Sequence, residues 1–172
     1  MLAGAGSLML AAPAVRAQGQ NAGVALVIGN SKYQWEAQLP NVRRDAPDIA
    51  KVFQAMGLKT ELVQDAGHAA MRQALDKFGN TSRGAPFAAF YFAGHGATWA
   101  RSSYIVPVDT DLGTPSVVQT LISGATVAEA ARQAGHCLMV YDACRNNPAD
   151  GWRQTEAERA AVVGSPQGAP PA

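Results

Sequence analysis

The sequence predicts a three-layer α/β domain with a mostly parallel central sheet flanked by helices, and three observations carry that expectation. Continuous apolar runs recur at residues 24–29, 87–92 and 136–141, as expected of strands covered on both faces. The segments between them carry apolar residues at helical spacing, the mark of helices with one buried face. Each run also breaks abruptly into polar residues, as the carboxyl end of a parallel strand does where it opens into a loop.

Composition bounds the answer. With 172 residues, 48% hydrophobic and 16% charged, the chain suits one globular domain with a sizeable core. A net charge of +1 supplies no basic field, so no nucleic-acid partner is expected. Residues 1–20 read as a signal peptide or leader: Leu8-Met9-Leu10-Ala11-Ala12 forms a short apolar stretch before small-residue patterns at Ala12-Pro13-Ala14 and Val15-Arg16-Ala17. A periplasmic or secreted location is therefore expected, with a cytoplasmic one as the alternative, since no positive segment precedes the apolar stretch. That stretch is too short to span a bilayer, and no membrane partner is expected.

In chain order, Val24-Ala25-Leu26-Val27-Ile28-Gly29 reads as a central strand. The loop after it, Gly29-Asn30-Ser31-Lys32, lacks both the Gly-Lys-Ser/Thr ending of a phosphate loop and the glycine spacing of a dinucleotide site. A helix follows, with Ile49, Val52, Phe53 and Met56 as its buried stripe, Asp45 as its N-cap and Gly57 closing it. Leu58 to Val63 reads as a strand near an edge. Met71, Ala74, Leu75 and Phe78 mark a second helical stripe, which Gly79-Asn80 is expected to stop. Phe87 to Phe92 is again apolar throughout. Ser103 to Asp109 suits only short edge strands, because Pro107 cannot donate to a ladder. Thr126-Val127-Ala128-Glu129 has the form of a capping box and predicts a helix to about Gln133. His136 to Tyr141 reads as the last buried strand. Residues 151–172 suit one short helical segment and a Pro/Gly-rich tail, leaving 23–150 as the folded domain.

The chemistry concentrates where two runs end. One breaks at Ala93-Gly94-His95-Gly96 and the other at Asp142-Ala143-Cys144-Arg145. A cysteine is a useful nucleophile when a histidine favours its thiolate or takes its proton. The amides of Gly96 and Cys144 are candidate oxyanion donors. Cys137 and Cys144 are separated by an extended stretch of about 20 Å, beyond the roughly 7 Å a disulfide tolerates, so Cys137 reads as a buried structural thiol.

Caspases carry Gln-Ala-Cys-Arg/Gln/Gly-Gly with a histidine about 50 residues upstream, and this chain has Asp142-Ala143-Cys144-Arg145-Asn146 with His95 at that separation. Five blocks in order resemble bacterial caspase-like proteins of the metacaspase type: residues 24–33, Leu39-Pro40-Asn41 with Asp45-Ala46, residues 90–96, residues 104–109, and residues 142–148. The resemblance implies a caspase-like fold and a cysteine endopeptidase with Cys144 as nucleophile and His95 as base. It also implies that Asp45 and Asp142 form a pocket for the Arg or Lys preceding the cleaved bond of a protein or peptide substrate. Two carboxylates suit a guanidinium through charge-assisted hydrogen bonds and repel an acidic side chain.

Simpler alternatives stand beside these roles. Asp45 has its helix cap, Asp142 has nearby loop amides to accept from, and Gly96 has a turn. Asp109 and Asp111 are too few for the six to eight oxygens calcium takes, so no metal and no cofactor is expected. The family fold continues past the cysteine loop with two further strands, and the corresponding half is expected to be missing here. The fourth main strand is then an apolar edge open to self-association or to a partner. A non-catalytic caspase-like binding module is the alternative function.

Overall fold

A computed structural model describes residues 22–143. The leader, the Cys144 loop and the segment 151–172 lie outside the described residues. The described chain runs β1 (Val24–Gly29), α1 (Val42–Ala55), β2 (Lys59–Gln64), α2 (His68–Ser82), β3 (Phe87–Ala93), β4 (Gly96–Trp99), β5 (Ser102–Ile105), β6 (Ile122–Ser123), α3 (Gly124–Ala131) and β7 (His136–Asp142). The main sheet has the order β2-β1-β3-β7, all parallel, and β4-β5-β6 form a small antiparallel sheet. The expected three-layer α/β fold is observed.

Strand alternation sorts the central strands between two cores. Leu26, Ile28, Phe90 and Phe92 face Met71, Leu75 and Phe78 of α2 and Val127 of α3. Ala25, Val27, Ala89, Tyr91 and Ala93 face Val42, Ala46, Ala50 and Phe53 of α1. The second interface is built of small residues, and α1 lies close: a Cβ on Gly29 would stand 2.5 Å from the Cβ of Ala46. This moves the buried stripe of α1 away from the expected one. Phe53 is buried, but Val52 and Met56 are 51% and 57% exposed, because Ala46 and Ala50 are what the close approach admits.

Other boundaries also shift. The N-cap position of α1 is Asn41, which places Asp45 inside the first turn rather than at the cap. Gly57, at φ +84°, closes the helix as expected. The amides of Gly57 and Leu58 reach back to Gln54 and Phe53, the paired bonds of a Schellman ending. The second helix runs through Gly79-Asn80 to Ser82, since Gly79 packs on Ala130 of α3 and tertiary contact overrides the local stop signal. On α3 the cap is Ser123, whose hydroxyl accepts from the Thr126 amide, rather than Thr126 itself. Asp109 caps α2 from a distance: its Oδ1 accepts from the His68 amide at 2.8 Å, where a carboxylate also complements the helix dipole.

The strand β7 has the apolar edge expected of it and not the burial that its run of residues suggests. It is not buried on both faces, and among the described residues it pairs only with β3. Leu138 and Val140 are 42% and 37% exposed, and Cys137 is an exposed free thiol rather than a core residue. Met139 and Tyr141 on the other face pack against the α2/α3 core.

Replacing Asp109 with Ala leaves the first amide of α2, that of His68, without its acceptor. We expect a stability loss of about 1 kcal/mol, the usual worth of a helix cap, read from the midpoint of urea unfolding.

Candidate active site

In this strand order the chain leaves β1 toward β2 and leaves β3 toward β7, so a crevice opens between the β1 and β3 loops. Its floor is a buried polar cluster. Asn30 is fully buried, and its side-chain amide donates to the Ala66 carbonyl at 3.3 Å and the Val106 carbonyl at 3.1 Å. Its Oδ1 accepts from the Ala66 amide at 2.9 Å. Beside it, Asp65 takes the left-handed backbone at φ 52°, and its Oδ1 accepts from the amides of Ser31 and Lys32 at 2.8 and 2.9 Å.

On this floor stands Tyr33. Its hydroxyl donates to the Val106 carbonyl at 3.1 Å and accepts from the His95 amide at 2.8 Å. Burial pushes the phenol well above its ordinary range, partly offset by the bond from His95, so it keeps its proton. The Tyr33 and His95 rings pack with centroids 4.4 Å apart at 56°. The backbone must come close for this. A Cβ on Gly94 would lie 2.6 Å from both the Tyr33 hydroxyl and Cζ of Phe92.

His95 has a defined tautomer. Its Nε2 lies 2.7 Å from the Ala37 carbonyl, and a carbonyl only accepts, so Nε2 carries the proton and Nδ1 the lone pair. Desolvation lowers the imidazole pKa from its ordinary 6.5, partly offset by the bond to Ala37, and favours the neutral base.

The parallel register of β3 and β7 sets Ala93 opposite Asp142, and the Gly94 amide donates to the Asp142 carbonyl at 3.3 Å. The backbones leading to His95 and to residue 144 thus leave the sheet side by side. Gly96 is the buried first residue of β4, paired with Ile105. It lines a largely apolar cavity of about 240 Å³ together with Ile105, Gly124, Met139, Tyr141 and Ala143.

Both candidate pocket acids lie toward the α1 side of the sheet and are exposed. Tyr91 bonds one of them. Its hydroxyl donates to Asp142 Oδ2 at 3.1 Å. Burial, then the Asp142 carboxylate, then that of Asp45 push its pKa up to about 12. The two acids therefore act on one phenol. Sequence reasoning missed Tyr91, Tyr33 and Asn30, because aromatic and amide residues at the edges of apolar runs carry no periodic signal of their own. Among the described residues, no cluster of three or more His, Cys, Asp or Glu side chains has the arrangement of a metal site. No described helix is long and apolar enough to cross a membrane.

A comparison with protein-family models matches the caspase domain over residues 22–168. The chain belongs to the caspase family. As a caspase-domain chain it is in class a cysteine-peptidase hydrolase, with protein as its class of substrate. No curated protein matches the chain in a sequence search.

Two outcomes follow for the caspase-domain site. In Gly94→Ala the new methyl group displaces Tyr33 and with it the His95 amide, and we expect a loss of roughly 2 kcal/mol, the cost of overpacking, in chemical unfolding. The second concerns acid. Because the folded state holds the His95 pKa below 6.5, the unfolded chain binds more protons at lower pH. This stabilisation is present above 6.5 and is lost as pH falls through the folded value. Unfolding midpoints should decline on acidification from neutrality, less steeply in His95→Gln.

Proposed function

We propose that the protein is an endopeptidase that cleaves after Arg or Lys through a His95–Cys144 dyad. The observation that carries this is the flush end of β3 and β7, Ala93 against Asp142, which starts the His95 and Cys144 segments from neighbouring backbones. The supporting chemistry is the His95 tautomer, with its basic nitrogen opposite the one that Ala37 holds.

In this mechanism the Cys144 thiol gives its proton to His95 Nδ1 as its sulfur attacks the scissile carbonyl. The amides of Gly96 and Cys144 stabilise the resulting oxyanion. Collapse breaks the peptide C–N bond, and His95 passes the proton to the leaving amine, leaving a thioester. Water, deprotonated by His95, then attacks the thioester and releases the acid and the thiol. Asp45 and Asp142 bind the basic side chain before the cleaved bond. The acids are exposed at the crevice rim, and a guanidinium can meet them without the cost of uncovering a buried charge.

An arginyl methylketone probe should alkylate Cys144 in the wild-type protein and leave Cys144→Ala and His95→Ala unlabelled. In peptide hydrolysis, His95→Ala should lower kcat/KM by about 10²–10⁴. The acid limb of the wild-type profile should lie below 6.5, following the lowered imidazole pKa. Stoichiometric protein binding with no labelling at any pH would overturn this function in favour of a binding module.

A further inference from the structure

Tyr91 lies on the α1 side of β3 between the small residues Ala89 and Ala93, with Phe87 at the far end of the same face. Across the parallel pair it stands opposite Val140, and Asp142 is the next residue of β7 on the same face. The methyl group of Ala93 opposite Asp142 leaves room for the phenol to lean along the strand. Its hydroxyl thereby reaches Asp142 Oδ2 at 3.1 Å while its body stays buried at 6% exposure. Among the described residues Asp142 ends an edge strand and is itself exposed, so without a fixed donor its carboxylate would sample several rotamers.

We propose that Tyr91 is a positioning residue for substrate specificity: its hydroxyl fixes the Asp142 carboxylate in one orientation, so that Asp142 and Asp45 receive a planar guanidinium in preference to an ammonium. This inference rests on the basic-residue specificity proposed above and assigns the part of the pocket that selects between Arg and Lys. A guanidinium presents its N–H groups in a rigid fork, which rewards acceptors held in fixed places. An ammonium is a rotatable point charge and gains little from their orientation. The phenol suits this task because it stays protonated. Burial and the two neighbouring carboxylates disfavour phenolate, so its donated hydrogen is retained throughout the working range of a histidine base.

The test compares Tyr91→Phe, which removes one oxygen, with wild type on paired peptides differing only in Arg or Lys before the scissile bond. For the Arg peptide KM should rise roughly tenfold, the worth of one charge-assisted hydrogen bond. Its kcat should stay within about twofold, and the Lys peptide should change by less than about threefold. Thermal unfolding of the variant should match wild type, which excludes a general loss of structure. In an Asp142→Asn background the same substitution should have no further effect on KM. Equal effects on both peptides, an unchanged KM for Arg, or full additivity with Asp142→Asn would overturn the inference while leaving the endopeptidase intact. If the wild type cleaves neither peptide, the Cys144→Ala protein is titrated with the Arg peptide by calorimetry. Binding that Tyr91→Phe weakens selectively supports the inference without the hydrolysis, and no binding overturns both.

Discussion

The side-chain amide of Asn30 is the constraint on which the crevice depends. Three segments meet at it: the loop after β1, the turn between β2 and α2 at Ala66, and the exit from β5 at Val106. None of these has a regular ladder to satisfy its backbone groups there, and without the Asn30 oxygen the buried Ala66 amide would lose its acceptor. Val106 is shared, since its carbonyl also accepts from Tyr33, which in turn holds the amide of His95. A single buried amide therefore sets the height of the histidine above the sheet through two intermediates, all of them within hydrogen-bond distance.

Around that fixed point the charges are divided by depth. The imidazole is driven toward its neutral form by burial, while Asp45 and Asp142 stay exposed. The phenols of Tyr33 and Tyr91 are the intermediaries. Each is buried and protonated, and each presents one oxygen to a functional group. A protein interior that cannot hold free charges can still orient them at its surface by this means.

Much of the fold was legible because β1 and β3 are fully covered strands, which show as unbroken apolar runs, and because α2 carries large residues at helical spacing. What failed did so where small residues decide. The stripe of α1 was assigned to Val52 and Met56 because they are large, yet close packing on Gly29 selects Ala46 and Ala50 instead. For β7 the apolar run alone reads as a buried strand, because it does not state whether anything covers it, and only the expected loss of the following half points to an open edge. At the candidate site, the polar break after β3 marks His95 in the sequence, whereas Asp45 and Asp142 enter as pocket acids only through the family resemblance. Tyr91 was not legible, because its ring belongs to the core and only its oxygen to the surface.

The contact of α1 with β1 reaches further than packing. Asp45 immediately precedes Ala46, the residue whose methyl group rests against Gly29. The depth to which the helix sinks at that point sets how far the carboxylate stands from the one across the sheet. The place of that carboxylate is thus gauged by a hydrogen atom inside the protein, and a change invisible from solvent would move a charge on its surface.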